Sequence, residues 1–325
     1  MGWQLTTLVR RAQRVAGAGR PLPRLLPHPG TASSPDGAAP AMATATADRL
    51  RELLPAVDRA RYDALRAEQP DAAAALARAL ATTGSVLAVE HLARRWAVLT
   101  PDVRTAVVNP VRAMAHAGRQ TDPTTCGSAS LIMLAAAGDP LLALWLRTGW
   151  LSPVGRPPEL AGAGAERLDG LAQAEPERRF AALQRAVKHR TNTGAALGLG
   201  WPAGLGTPPW GAAREARFPG VRYVGRVLDD TDRTDLAAVL DVVRAALRRG
   251  VPVPLYAGGD TARGWATALP RHVVLAVATT ATGLRVWEPS AGRLTALDTT
   301  AASRGTSSPA LGGWNHLAWA VLPVD

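Results

Sequence analysis

Residues 120–133 read QTDPTTCGSASLIM and contain Cys126, the only cysteine among 325 residues. The apolar run after Cys126 predicts a helix whose first turn carries the thiol. At a helix N-terminus, unpaired backbone N–H groups and the positive end of the helix dipole favour a thiolate. Gln120, six residues upstream, has a side-chain amide that can donate to an oxyanion formed beside the sulfur. The segment therefore predicts a thiol nucleophile with an oxyanion-stabilising donor nearby.

Two downstream segments, RHVVLAV at 271–277 and VWEPSAG at 286–292, supply an imidazole and a carboxylate. His272 can take up the thiol proton as a general base. Glu288 can hold the ring in one tautomer and stabilise the imidazolium. The order of thiol, imidazole and acid along the chain is that of a papain-like catalytic set.

The first segment resembles the C39-type cysteine peptidases, which are papain-like domains that process bacteriocin leader peptides and have many stand-alone relatives. The likeness rests on the Gln-x5-Cys-Gly spacing, on Asp122 two residues after the glutamine, and on Met133 seven residues after the cysteine. In that family a histidine before alternating apolar residues and an Asp-Pro before a glycine complete the site, and His272 and residues 288–292 look like these elements.

This resemblance covers residues 113–138 and 268–300, about a fifth of the chain. It implies an α+β, papain-like fold in which a helical N-terminal half carrying Cys126 packs on a C-terminal antiparallel sheet carrying His272 and Glu288. It also implies a peptide or protein substrate, cleaved at a peptide or amide bond by a thiol-dependent hydrolase, or transferred to an amine.

The sequence departs from the family at two points. Glu288 stands where the family has aspartate, so its arm is one methylene longer and the bond to the imidazole needs a slightly more distant backbone. The span from Cys126 to His272 is also longer than in the compact family domain, so residues 139–230 are expected to be an insertion.

Each candidate site residue also has a structural interpretation. Cys126 can be a small buried hydrophobe, which is the commoner role of a lone cysteine. Its neighbours favour the nucleophile, because Thr124 and Thr125 can cap a helix and Gly127 leaves room at the sulfur for a substrate carbonyl. Gln120 can instead brace its loop, and Asp122 is expected to shape that loop.

The imidazole and the acid have rivals as well. His316 opens a second apolar strand, although His272 is preferred because the strand that follows it leads into one with an acid at its end. Asn315 can also orient an imidazole, and Glu288 can be a surface turn residue before Pro289. A catalytically silent papain-like scaffold that binds a peptide or protein partner is therefore the alternative function.

The remaining chain divides into three expected parts: a disordered basic arm at 1–45, a helical region at 46–110, and the papain-like domain at 111–325. Apolar spacing predicts helices within 47–106 and at 140–149, 171–188 and 232–249. Residues 191–210 are expected to form an ordered loop that packs Trp201 and Trp210. Alternating apolar residues predict strands at 221–228 and 251–256, and then a meander of strands at 272–279, 284–288, 293–297 and 315–322.

The formal charge of +11 comes almost entirely from arginine, since Lys188 is the only lysine among 37 basic residues. We do not expect nucleic-acid binding, because this bias is typical of a GC-rich coding sequence; binding through the basic arm is a third interpretation that rests on charge alone. One cysteine excludes an intrachain disulfide and suits a reducing compartment, so the expected location is cytoplasmic. No transmembrane segment is expected, and no zinc, nucleotide or flavin motif occurs, so we expect no cofactor.

Overall fold

The computed structural model describes residues 4–15, 22, 41–162, 164–168, 170–195, 200–261, 270–302 and 304–324. Over these ranges the chain is a mixed α+β protein in which helices pack around one six-stranded antiparallel sheet. The expected α+β class is therefore confirmed.

The helical N-terminal region follows from apolar residues at helical spacing. Leu76, Leu80, Val89 and Leu92 are fully buried in a cluster separate from the one that covers the sheet. Local signals set the boundaries, since Gly84 ends one helix at a φ of 63°. The helices are α1 (Leu5–Val15), α2 (Ala41–Leu53), α3 (Ala56–Glu68), α4 (Ala73–Thr83), α5 (Val86–Trp96), α6 (Pro101–Val108) and α7 (Pro110–Ala113).

Helix α1 lies in the segment for which the sequence predicts disorder, so that prediction is wrong for Leu5–Val15. Arg10 donates to the Asp235 carboxylate at 2.9 Å, and Arg11 donates to that of Asp229 at 3.2 Å. These partners lie more than 200 positions away along the chain. Local composition could not indicate them. Residues 41–45 begin α2, and the rest of the predicted arm, Gln4 and Leu22 apart, lies outside the described residues.

Helix α8 (Cys126–Gly138) is apolar on every side and is buried along nearly its whole length. Asp139 ends it and caps α9 (Pro140–Thr148), because its carboxylate accepts from the backbone N–H groups of Leu141 at 2.9 Å and Leu142 at 3.2 Å. Among the described helices none is alone long and apolar enough to cross a membrane. By length and composition only, α8 and α9 together would be long and apolar enough, but they are bent by 117° at the break between them.

The predicted insertion contains the next two helices, α10 (Pro176–Asn192) and α11 (Pro209–Glu215). Between them, Trp201 and Trp210 pack edge to face with ring centroids 5.2 Å apart. The expected packing of these two rings is therefore found, although Trp210 itself lies in α11 and residues 196–199 of the predicted loop lie outside the described residues. Helix α10 lies against α8, so the insertion contacts the helix that carries the thiol.

The sheet is antiparallel throughout, with strand order β1-β6-β2-β3-β4-β5. Its strands are β1 (Arg222–Val227), β2 (Val253–Gly258), β3 (Pro270–Thr279), β4 (Gly283–Glu288), β5 (Arg293–Asp298) and β6 (His316–Val324). Strand β3 is buried through the consecutive residues 272–276, as expected when helices cover both faces. Helix α8 and helix α12 (Arg233–Arg248) both pack against it.

One predicted feature of the sheet is wrong. The meander ends at β5, and β6 returns across the sheet to lie between β1 and β2. Tyr256 of β2 pairs with Trp319 of β6, which in turn pairs with Val227 of β1. The long connection after β5, which includes α13 (Thr299–Ala302), allows this crossing, and alternation within a strand does not specify its neighbour.

Candidate active site

Cys126 is the first residue of α8, and its side chain is only 3% exposed. Thr125 occupies the N-cap position but makes no capping hydrogen bond with its side chain. Its hydroxyl instead accepts from the backbone N–H groups of Thr121 at 3.1 Å and Asp122 at 3.2 Å. The expectation that Thr125 caps the helix through its side chain is therefore wrong, since that hydroxyl holds the preceding loop.

The space beside Gly127 is filled by Thr207 from the inserted region. A Cβ atom added to Gly127 would lie 2.5 Å from the Cβ of Thr207. The sequence interpretation that Gly127 leaves room for a substrate carbonyl is therefore wrong, because this glycine leaves room for Thr207. Sequence reasoning missed Thr207, which lies about 80 positions from the thiol and follows a glycine-rich stretch without a motif.

His272 and Glu288 form a buried pair on neighbouring strands. The imidazole Nε2 of His272 lies 2.7 Å from Oε1 of Glu288, and both side chains are almost inaccessible to solvent. The backbone N–H groups of Ser290 and Ala291 donate to the Glu288 carboxylate at 2.8 and 2.7 Å. The turn after β4 therefore fixes the carboxylate, and the extra methylene of glutamate does not prevent the bond to the ring.

A bulge in the sheet lies beside His272. Ala257 of β2 pairs with His272, whereas the next residue, Gly258, pairs with Pro270 and skips Arg271. Bulges of this kind bend a strand and redirect the adjacent side chain. The start of β3 is therefore shaped so that the direction of the imidazole differs from that of a regular strand.

Cys126 lies close enough to the His272 ring to contribute to the rise in its pKa. Because Nε2 faces Glu288, Nδ1 is the nitrogen left for the thiol. Burial lowers the pKa of His272, but its hydrogen bonds with Cys126 and Glu288 outweigh burial and raise the pKa from 6.5 to about 9. The structure thus brings Cys126 close to the buried pair of His272 and Glu288.

The pKa of Glu288 shifts in the opposite direction from that of His272. Burial raises the pKa of Glu288, but hydrogen bonds from His272, Ser290 and Ala291 outweigh burial and lower the pKa from 4.5 to about 2. The interaction between His272 and Glu288 therefore stabilises the fold fully between pH 4.5 and pH 6.5, which are the pKa values of Glu288 and His272 in the unfolded chain. That contribution is lost as the pH rises through about 9 or falls through about 2.

Gln120 braces its own loop, as its structural interpretation predicts. Its side-chain amide donates to the backbone oxygen of Asp122 at 3.0 Å, which leaves the second amide hydrogen available. Its backbone N–H donates to the oxygen of Pro289 at 2.9 Å. Gln120 therefore lies against the turn that fixes Glu288, and the loop before the thiol and the turn after β4 form one unit.

His316, the rival imidazole, belongs to a different cluster. Its Nδ1 lies 3.1 Å from the carboxylate of Asp230, and its Nε2 lies 3.7 Å from that of Asp260. Asp230 also accepts from the backbone N–H of Leu317 and from the side chain of Gln4. The ring of His316 is therefore paired with acids other than Glu288. Since Glu288 already orients the His272 ring, Asn315 is not needed in that role.

Gly312 packs directly against the imidazole and was also missed. A Cβ atom added there would lie 2.6 Å from Cδ2 of His272, and the backbone φ of 65° favours glycine. The Gly312-Gly313 pair was the available sequence signal, because paired glycines mark a turn or a close approach.

Replacing Gly312 with alanine should displace the His272 ring and lower turnover by about 10²-fold, since misplacing a reacting group by about 1 Å has that effect. Gly313→Ala is the matched control, because Gly313 has a φ of 85° and nothing within 4 Å of an added Cβ. Both variants place an alanine at a positive φ, which strains the backbone. Only the alanine at position 312 brings its Cβ against the His272 ring. Equal rates in the two variants would show that contact with the imidazole is unimportant.

Within the ranges that the structure describes, no group of three histidine, cysteine, aspartate or glutamate side chains could hold a metal ion. Comparison of the chain with protein-family models, with curated proteins and with solved structures gives no match.

Proposed function

We propose that the protein is a thiol-dependent hydrolase that cleaves a peptide or amide bond, with Cys126 as nucleophile. The observation that carries the proposal is the buried His272–Glu288 pair, with Cys126 close to the imidazole. A cysteine that served only as a small buried hydrophobe would not need an imidazole beside it.

The arrangement of elements supports a papain-like fold of the type found in C39 peptidases. The thiol begins a buried helix that packs on an antiparallel sheet, the imidazole lies near the start of β3, and the acid ends the neighbouring β4. In this proposal the region 139–230 is an insertion between the nucleophile and the strands that carry the other two groups.

Acylation uses the imidazolium as the proton donor. With a pKa of about 9, His272 is protonated at neutral pH. In this proposal the attacking form of Cys126 is a thiolate beside that imidazolium. The sulfur attacks the substrate carbonyl carbon, and the carbonyl electrons move to the oxygen. Gln120 and the backbone N–H of Cys126 stabilise that oxyanion. As the C–N bond breaks, Nδ1 of His272 transfers its proton to the departing amine, which leaves a thioester.

Deacylation reverses these roles. Neutral His272 takes a proton from water while the water oxygen attacks the thioester carbonyl. The C–S bond then breaks, which restores the thiolate beside the imidazolium and releases the acid. An amine that replaced the water would make the same site a transferase, as the sequence analysis also allowed.

The almost complete burial of Cys126, with Thr207 against Gly127, favours a second function. In this alternative the same scaffold binds a peptide or protein partner without turnover. Two small reagents distinguish the functions, because Cys126 is the only thiol that either can modify. We expect iodoacetamide to alkylate it and p-nitrophenyl acetate to acylate it with a stoichiometric burst of p-nitrophenol. Slow alkylation that follows the ionisation of an ordinary thiol, with no burst, would support the silent scaffold.

Replacing Glu288 with glutamine should move the alkaline limb of the pH–rate profile to lower pH. Loss of the carboxylate removes the charge that stabilises the imidazolium, so the pKa of His272 falls from about 9. The burst rate measured from pH 5 to pH 10 in both proteins tests this expectation. An unshifted limb would mean that Glu288 does not set the protonation of the ring.

A further inference from the structure

Helix α10 holds the loop that carries Gln120. Gln184 is fully buried, and its amide donates to the backbone oxygens of Gly118 at 3.2 Å and Arg119 at 2.9 Å. Its side-chain oxygen accepts from the backbone N–H of Thr121 at 3.1 Å. One side chain from the inserted region therefore fixes the backbone immediately before and after Gln120.

Lys188, one turn further along α10, holds the next part of the same loop. Its ammonium group contacts the hydroxyl of Thr124. The backbone N–H and the hydroxyl of Thr124 both donate to the Asp122 carboxylate, at 2.7 and 2.5 Å. The backbone oxygen of Asp122 in turn accepts from the Gln120 side chain. A continuous chain of contacts thus runs from α10 to the amide proposed to stabilise the oxyanion.

The electrostatics of the loop agree with this geometry. Burial raises the pKa of Asp122, but the hydrogen bonds from Thr124 and the charge of Lys188 outweigh burial and hold the pKa below its ordinary value. The carboxylate is therefore ionised and able to accept from Thr124 at neutral pH. A lysine in this position is notable in a chain whose other 36 basic residues are arginines.

Building on the proposed function, we propose that α10 is the positioning element of the oxyanion donor, and that Gln184 and Lys188 act through the loop to hold Gln120. They are positioning residues, since their contacts are with the loop and not with the sulfur or the imidazole. Donors that are fixed before the reaction stabilise the developing charge without reorganising, and this is the source of their effect on rate. The proposal gives the insertion a purpose, because the helix that orders the loop lies within it.

Two reactions of the same thiol separate this role from general stabilisation. Acylation by p-nitrophenyl acetate passes through an oxyanion, whereas alkylation by iodoacetamide is a displacement at carbon that forms none. Gln184→Ala and Lys188→Met should therefore slow acylation by about tenfold or more, part of the 10²–10³-fold effect of losing a donor outright. Both variants should be alkylated within about twofold of the wild-type rate, because the thiol and the imidazole are untouched.

The controls come from the same helix and the same thiol. Arg185→Ala removes an exposed side chain between the two positions and should change neither rate. Lys188→Arg should retain most of the acylation rate, because a guanidinium can also donate to Thr124. Each acylation rate is corrected by subtracting that of the same variant with Cys126→Ser added, which accounts for reaction at the amines that each variant retains.

The outcomes distinguish this inference from the proposed function. A selective loss of acylation in the two variants supports the inference. Loss of both reactions, or of neither, overturns it and leaves the proposed function standing if the wild-type protein reacts with both reagents. If the wild-type thiol reacts with neither reagent, both proposals fail. Should Gln184→Ala not fold, Lys188→Met decides the question, since Lys188 is only half-buried.

Discussion

Cys126→Ser is expected to abolish turnover, with a loss of about 10⁶-fold, as removal of a nucleophile does in other hydrolases. A serine hydroxyl keeps nearly the shape of the thiol, but it is a much weaker acid, so the imidazole beside it cannot hold it as an anion. No thioester can form in the variant. The p-nitrophenol burst should therefore disappear, and only the background hydrolysis of the ester should remain.

The fold of Cys126→Ser should be intact. The substituted atom is buried, but the hydroxyl can accept from the protonated His272 ring or donate to the neutral ring, so it need not be left without a partner. Thermal unfolding followed by circular dichroism checks this, and we expect a change in unfolding free energy of no more than about 1–2 kcal/mol. A folded variant that kept the burst would mean that the acylated group lies elsewhere, and Cys126 would not be the nucleophile.

His272→Gln is expected to lower turnover by about 10³–10⁴-fold, the effect of removing a general acid and base. Glutamine is preferred to alanine because its side-chain amide can still donate to Glu288. Alanine would leave that buried carboxylate without its partner, at a cost of about 3–5 kcal/mol. The expected loss in His272→Gln is therefore chemical, since the hydrogen bond that orders the turn after β4 can be kept.

The double variant His272→Ala/Glu288→Gln tests whether the unpaired charge of Glu288 causes the loss of stability in His272→Ala. If the cost of His272→Ala comes from the uncompensated charge, neutralising Glu288 as well should restore part of the lost unfolding free energy. Chemical denaturation of the single and double variants measures this coupling. Additive losses would indicate that the two side chains do not interact, against the 2.7 Å contact between them.

Local patterns predicted most of the individual elements. The helix α12 begins at Asp232, which caps it, and Gly250 follows its end at a φ of 71°, as expected from the sequence. The β3–β4–β5 meander also follows from alternation and turn residues. The position of β6 and the helix α1 could not be predicted this way, because both depend on partners far along the chain.

The residues of the candidate site also fall into those that the sequence could identify and those that it could not. Cys126, His272 and Glu288 could be identified because their order along the chain and the residues around them resemble a known catalytic set, and the structure brings them near one another. Gln184, Thr207 and Gly312 could not be, since their contribution is a contact made by an ordinary side chain or by the lack of one. Such contacts are defined by the tertiary fold and have no sequence motif.

The alkylation rate of the single thiol, measured against pH in wild-type protein and in His272→Gln, tests the central claim most directly. If the sulfur is held as a thiolate by the imidazolium, the wild-type protein should react with iodoacetamide at about pH 6 at least about tenfold faster than the variant. Superimposable profiles for the two proteins would contradict the pairing of Cys126 with His272, and with it the proposed enzyme.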